Sequence, residues 1–183
     1  ESYYALTAAR VIHILGVVFW IGGVAFVTTI LIPSLRRLPS QQQRLSLFET
    51  LEGRFSSQAK VVVLITGLSG FYMLYSMEAW GRYQQHSFWW VHMMTLVWAL
   101  FTLVLFVLEP WFLHRWFKQQ AQRNADRCFR FLHRMHYLLL ALSLTAVAGT
   151  VAGAGGLPFT ELLTNNLAAL DPAPPKPAIS LPV

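Results

Sequence analysis

Four long apolar runs dominate the hydropathy pattern: VIHILGVVFWIGGVAFVTTILI at 11–32, VVVLITGLSGFYMLYSM at 61–77, FWWVHMMTLVWALFTLVLFVL at 88–108 and YLLLALSLTAVAGTVAGAG at 137–155. A helix needs about 20 apolar residues to cross the hydrocarbon of a bilayer. The first and third runs suffice alone, and the other two reach that length when Ser57–Lys60 and Phe131–His136 are added. The runs are continuous rather than alternating, which favours spanning helices over barrel strands. The pattern predicts an all-α, multi-pass four-helix bundle over residues 1–156, with spans near 8–33, 57–77, 87–110 and 131–155.

The polar interludes carry patterns of their own. In LPSQQQRLSLFETLEGRFSSQAK, Leu45, Phe48 and Leu51 recur at helical spacing, which predicts a short amphipathic helix lying in the membrane interface. The third helix is expected to run on into WFLHRWFKQQ and the fourth to begin near Asp126, with a tight connection around Gln120–Asn124. Prolines in DPAPPKPAISLPV exclude regular helix or strand, so 157–183 reads as an extended tail on the outer side. Trp80, Trp89 and Trp90 suit an aromatic belt at one membrane surface.

Composition agrees with a membrane chain. Charged residues make up 12% of the sequence, against about 25% in soluble domains. The first run is too long and too rich in polar and aromatic side chains for a signal peptide. A lone cysteine, Cys128, excludes an intrachain disulfide and any cysteine-based metal cluster. The net charge of +6 is unevenly spread, with eleven of the fourteen basic residues in the connections after the first and third runs. That bias orients a membrane protein and is no sign of nucleic-acid binding. It places both connections in the cytoplasm and both termini in the periplasm, for a chain in a bacterial inner membrane.

Two histidines, His13 and His92, sit near the starts of the first and third runs, at matching depth on the outer side. Ionisable groups in hydrocarbon are costly and mark functional sites. Two at one depth on different helices can hold a haem iron as axial ligands. Below His13 the same helix face shows Gly16, Trp20, Gly23 and Val27, and below His92 it shows Thr95, Ala99, Thr102 and Phe106. Both faces are small or polar just under the histidine, as a flat porphyrin requires, although small residues equally serve close helix packing. Arg10, at the outer start of the first helix, could neutralise haem propionates, as could Lys60 at the inner side. His133 and His136 on the fourth helix are candidates for a second haem, or else a basic surface toward headgroups. Met73, Met77, Met93 and Met94 cluster near the outer histidines, and thioether with imidazole suits copper(I). A methionine could also be the haem ligand opposite a histidine. No Ser–His–Asp set, intramembrane carboxylate pair or glycine-rich phosphate loop is present, so no residue is assigned a catalytic role.

The stretches AARVIHILGVVFWIGGVAF, RFSSQAKVVVLITGLSGFYML and FWWVHMMTLVWAL resemble, in order, the first three helices of CopD-type copper-resistance domains and HemJ-type protoporphyrinogen oxidases. The likeness covers about residues 8–155 and rests on short motifs. It implies a four-helix bundle handling haem, porphyrin or copper, with His13 and His92 on the family's histidine positions. Met94 stands where the HemJ-type proteins carry a lysine, a departure that weighs against porphyrinogen oxidation. The reading expected from all this is a b-type haem protein for electron transfer, a subunit of a larger membrane oxidoreductase complex. Its redox partner would be a periplasmic electron carrier or quinol. Copper handling and a cofactor-free accessory subunit are the alternatives.

Overall fold

The computed structural model describes residues 2–155, which are helical throughout apart from short turns and contain no strand. The proline-rich tail lies outside the described residues. Four helices are long and apolar enough to cross a membrane: α1 (Tyr3–Arg36), α2 (Gln41–Ser76), α3 (Trp89–Pro110) and α4 (Arg123–Gly153). They run alternately up and down. One end of the bundle, here the N-terminal end, gathers the start of α1, the end of α2, the start of α3 and the end of α4. The other, the basic end, carries the two arginine-rich connections.

The local chemistry explains where each helix stops. Ser40 starts α2, its hydroxyl accepting the Gln43 N–H at 3.4 Å, an ordinary N-cap. After α2 the chain turns through Glu78, whose φ is 50°, into short tight helical turns at Ala79–Gln84 and His86–Phe88. Helical backbone leaves α3 through a widened coil at Val104–Phe117 that contains Pro110. It breaks at Asn124, with φ −154° and ψ 86°. The Asn124 side chain accepts the Arg127 N–H at 3.1 Å and so caps α4 within the expected connection.

A second widened turn, Val27–Leu31, interrupts α1 just before Pro33. There the Ile32 N–H bonds to Val27 O, five residues back rather than four. In that register the partner of the Thr28 carbonyl would be residue 33, and proline has no N–H to give. His133 on α4 fills the gap, its Nε2 donating to Thr28 O at 2.8 Å. One sequence-singled histidine therefore satisfies an orphaned backbone carbonyl, which hydrocarbon would otherwise leave unpaired.

The stretch expected to form a separate interfacial helix is instead the first part of one continuous 36-residue helix, α2. Phe48 is buried, edge-on to Phe129 of α4 with centroids 5.6 Å apart. It joins Val27, Ile32, Leu35, Ala125 and Leu132 in a core cluster at the basic end. Its apolar stripe met another helix before it met lipid. A second cluster, in the middle of the bundle, gathers Trp20, Val24, Val63, Val97, Phe101, Leu139 and Ala146. Large side chains such as Phe19, Leu68 and Val151 face outward, each about 70% exposed, as lipid-facing positions should. Hydroxyls within the spans, among them Thr28, Thr66, Thr102 and Ser143, donate to carbonyls four residues back, which pairs them inside the bundle. Neighbouring helices pack unequally. The α1–α2 contact is the most extensive, and α2 meets α3 least.

Candidate functional site

The N-terminal half of the bundle encloses a cavity of about 330 Å³ reached by all four helices. His13 lines it, together with Arg10, Arg82, Met73, Met77 and Met94. Small residues let α1 and α2 approach closely enough to set this histidine. A Cβ added to Gly16 would collide with Thr66 of α2, and one on Gly70 would come within 3.0 Å of the His13 ring. The His13 ring thus lies against the backbone of α2. Its Nδ1 is 2.8 Å from Thr66 O and 3.3 Å from the Ser69 hydroxyl. A carbonyl only accepts, so Nδ1 carries the proton and Nε2 keeps a free lone pair. A hydrogen bond of this kind on one ring nitrogen is what orients an imidazole that binds a metal through the other.

Aromatic rings and glycine form the rest of the wall. Trp98 donates from Nε1 to Val63 O at 3.0 Å, with its ring pressed on Gly67. Phe71 meets that ring edge-on at 5.2 Å and stacks with Trp80 at 6.4 Å. Tyr83 and Thr95 share a hydroxyl hydrogen bond of 2.7 Å on the α3 side. Trp90 lines the cavity and packs on Gly153, while Trp89 packs on Gly149. Of the three tryptophans expected in a belt, these two face α4, and Trp80 is half exposed.

The expected histidine pair does not converge on the cavity. His92 is exposed, edge-on to Tyr83 with centroids 5.3 Å apart, and does not line the cavity. The bundle-facing stripe of α3 runs instead through Val91, Met94, Val97, Trp98 and Phe101. Of the face read below His92, Thr95 reaches the cavity while Ala99 is exposed. On α1, Gly16, Trp20 and Val27 are buried, with Gly16 against Thr66 of α2 rather than lining the cavity. Gly23 sits lower on the helix, against Phe55 of α2. Met93 packs against the middle core cluster.

A smaller cavity of about 110 Å³ lies toward the basic end, lined by Trp20, Phe48, Glu49, Glu52, Ser56, Phe101, Glu109 and His136 among others. His136 donates from Nδ1 to Leu132 O at 2.9 Å. Lys60 of α2 and Glu109 of α3 form an ion pair of 2.7 Å beside it. Arg44 and Asp126 form another, 2.8 Å long, between α2 and α4 at the basic end. In the sequence no motif marks this cavity, because Glu49 and Glu52 fall in the stretch whose pattern predicts an interfacial helix and Glu109 at the inner end of the third span. Among the described residues, no group of three or more His, Cys, Asp or Glu side chains is arranged to hold a metal ion. No family model matches the chain, and neither a curated protein nor a solved structure is found that matches it.

Proposed function

We propose that the chain is a membrane-embedded b-type haem protein serving electron transfer as a subunit of a larger oxidoreductase complex, with the haem in the N-terminal-end cavity. The observation that carries this reading is His13: it lines the cavity with Nδ1–H fixed on the Thr66 carbonyl, so Nε2 is left to bind iron. The surrounding residues fit the group. Aromatic and glycine walls suit a flat macrocycle, and Arg10 and Arg82 are in the lining to meet carboxylates. The cavity volume lies in the range of small-molecule and cofactor pockets, about 300–1,000 Å³. Bound haem would supply a one-electron couple tuned by its ligands and burial. The protein's part is to hold the imidazole orientation, exclude water and place positive charge at the rim. A cavity-lining methionine, Met94 foremost, would hold the iron together with His13. His92 then faces outward, toward lipid or a neighbouring subunit. The distribution of arginines supports a bacterial inner-membrane protein with the haem near the periplasmic side, where a periplasmic carrier or quinol could exchange electrons.

Copper is the second reading, because Met73, Met77 and Met94 line the same cavity as His13. Oxidised and dithionite-reduced visible spectra of detergent-purified protein, with a pyridine haemochrome count, separate the two. Sharp reduced α and β bands that disappear in His13→Ala support haem. A flat spectrum from protein made with ample haem overturns it, and copper(I) binding that is lost on Met73→Leu with Met77→Leu would then establish the copper reading.

A further inference from the structure

The basic-end cavity contains groups that the haem reading leaves unused. Trp20 and Ser56 are more than nine-tenths buried, and both line this cavity. The Trp20 Nε1–H and the Ser56 hydroxyl have no hydrogen-bond partner, and the Glu109 Oε2 on the same wall has none beyond its 2.7 Å ion pair with Lys60. A buried donor left unpaired costs about 1–3 kcal/mol, whereas the Thr28, Thr66, Thr102 and Ser143 hydroxyls have each found a carbonyl. Two unmet donors beside one cavity define the ligand they lack, one that brings acceptor oxygens.

The charge around the cavity narrows its class. Glu49, Glu52 and Glu109 border it, and Lys60 offsets Glu109. Carboxylates repel an anion, so the acceptor must be a neutral carbonyl rather than a carboxylate or phosphate. The rest of the wall is apolar, with the rings of Trp20, Phe48, Phe55 and Phe101, which suits a flat hydrophobic body. The cavity is set among membrane-spanning segments and is walled by both α2 and α3, the neighbouring helices in least contact. A tail could leave through that seam into lipid. Water is the competing occupant. Each water molecule needs two to four polar partners, and the wall is chiefly apolar.

We propose that the basic-end cavity is a binding site for a neutral, membrane-soluble quinone headgroup, with Trp20 and Ser56 donating to its carbonyl oxygens. The site lies at the opposite end of the bundle from the haem proposed above. Ser56 lines it without lining the N-terminal-end cavity, whereas Trp20 lines both. Ser56 variants therefore separate this proposal from the haem reading.

The test titrates duroquinone into the purified full chain in detergent and follows tryptophan fluorescence quenching. Saturable binding is expected, weakened about tenfold by Ser56→Ala, the equivalent of one hydrogen bond, and abolished by Ser56→Leu, which fills the cavity. Trp20→Phe, which keeps the ring and removes the donor, should weaken binding similarly. The visible spectrum of both Ser56 variants should match the parent, and thermal unfolding checks that they fold. Quenching that does not saturate, or an affinity unchanged in folded Ser56→Leu, overturns the proposal. The quinone titration reads independently of whether the parent protein carries haem.

Discussion

At the scale of single residues, the histidines divide by what their ring nitrogens already do. His13 has one nitrogen tied to a carbonyl and lines a cavity, so its backing determines what it can bind. Gly70 is the residue that lets the ring lie there. A Cβ at 3.0 Å from His13 Cε1 and 3.3 Å from Nδ1 must displace the ring by a few tenths of an ångström. Gly70→Ala should therefore lower haem retention modestly, and Gly70→Val by about tenfold, read as haem per protein after detergent purification. His133 should behave differently. With its Nε2–H filling the carbonyl orphaned by Pro33, His133→Ala should destabilise the fold by about 1–3 kcal/mol and leave any reduced spectrum unchanged. His133→Gln, whose amide can donate, should recover part of the loss in thermal unfolding. His13 could be read from the sequence because its helix face is also marked by Gly16 and Trp20. His92 could not be placed by the same means. Its face was chosen by the histidine itself, whereas the larger side chains Val91, Met94, Trp98 and Phe101 turn α3 the other way.

At the scale of elements, the spans were legible because about 20 contiguous apolar residues leave a chain few alternatives in a bilayer. Their extensions were less legible. A stripe such as Leu45, Phe48 and Leu51 has the same periodicity whether it lies on lipid headgroups or on another helix. Only the presence of Phe129 and Leu132 opposite Phe48 decides, and that is tertiary information. The widened turn at Val27–Leu31 was equally hidden, since its cause at Pro33 is local but its remedy at His133 is 105 residues from Thr28. The α2–α3 seam is the element contact most open to test. Lys60 and Glu109 are mostly buried there, 29% and 18% exposed. Removing one partner leaves the other charge uncompensated, a loss of about 3–5 kcal/mol for fully buried pairs, with the lower end expected at this exposure. Lys60→Met alone should thus destabilise the bundle more than Lys60→Met combined with Glu109→Leu. A double-mutant cycle on thermal unfolding in detergent, with Glu109→Leu as the other single variant, measures the coupling, and a double-variant loss equal to the sum of the two single losses would show that the pair does not couple the two helices.

For the whole molecule, the two cavities and the arginine distribution define a direction. The larger cavity, with His13 and two arginines in its lining, lies at the N-terminal end. The smaller one, with its carboxylates, lies toward the end that carries Arg36, Arg37, Arg44, Arg123, Arg127, Arg130 and Arg134. Trp20 lines both, edge-on to Phe101 at 4.8 Å, so the two chambers meet in mid-bundle across one indole. Charge alone predicts which chamber faces which compartment. Lys and Arg in short connections remain on the cytoplasmic side during insertion, while Asp and Glu weigh little. Eleven of the fourteen basic residues therefore predict that the basic-end cavity opens toward the cytoplasm. Reporter fusions check this without any assumption about cofactors. Alkaline phosphatase joined after Gln84 or after Gly155 should be active, and joined after Pro39 or after Gln120 inactive, with a fluorescent cytoplasmic reporter giving the reverse at each site. The opposite pattern would place His13 at the cytoplasmic face, and the proposed haem would then have to exchange electrons with a cytoplasmic partner instead of a periplasmic one.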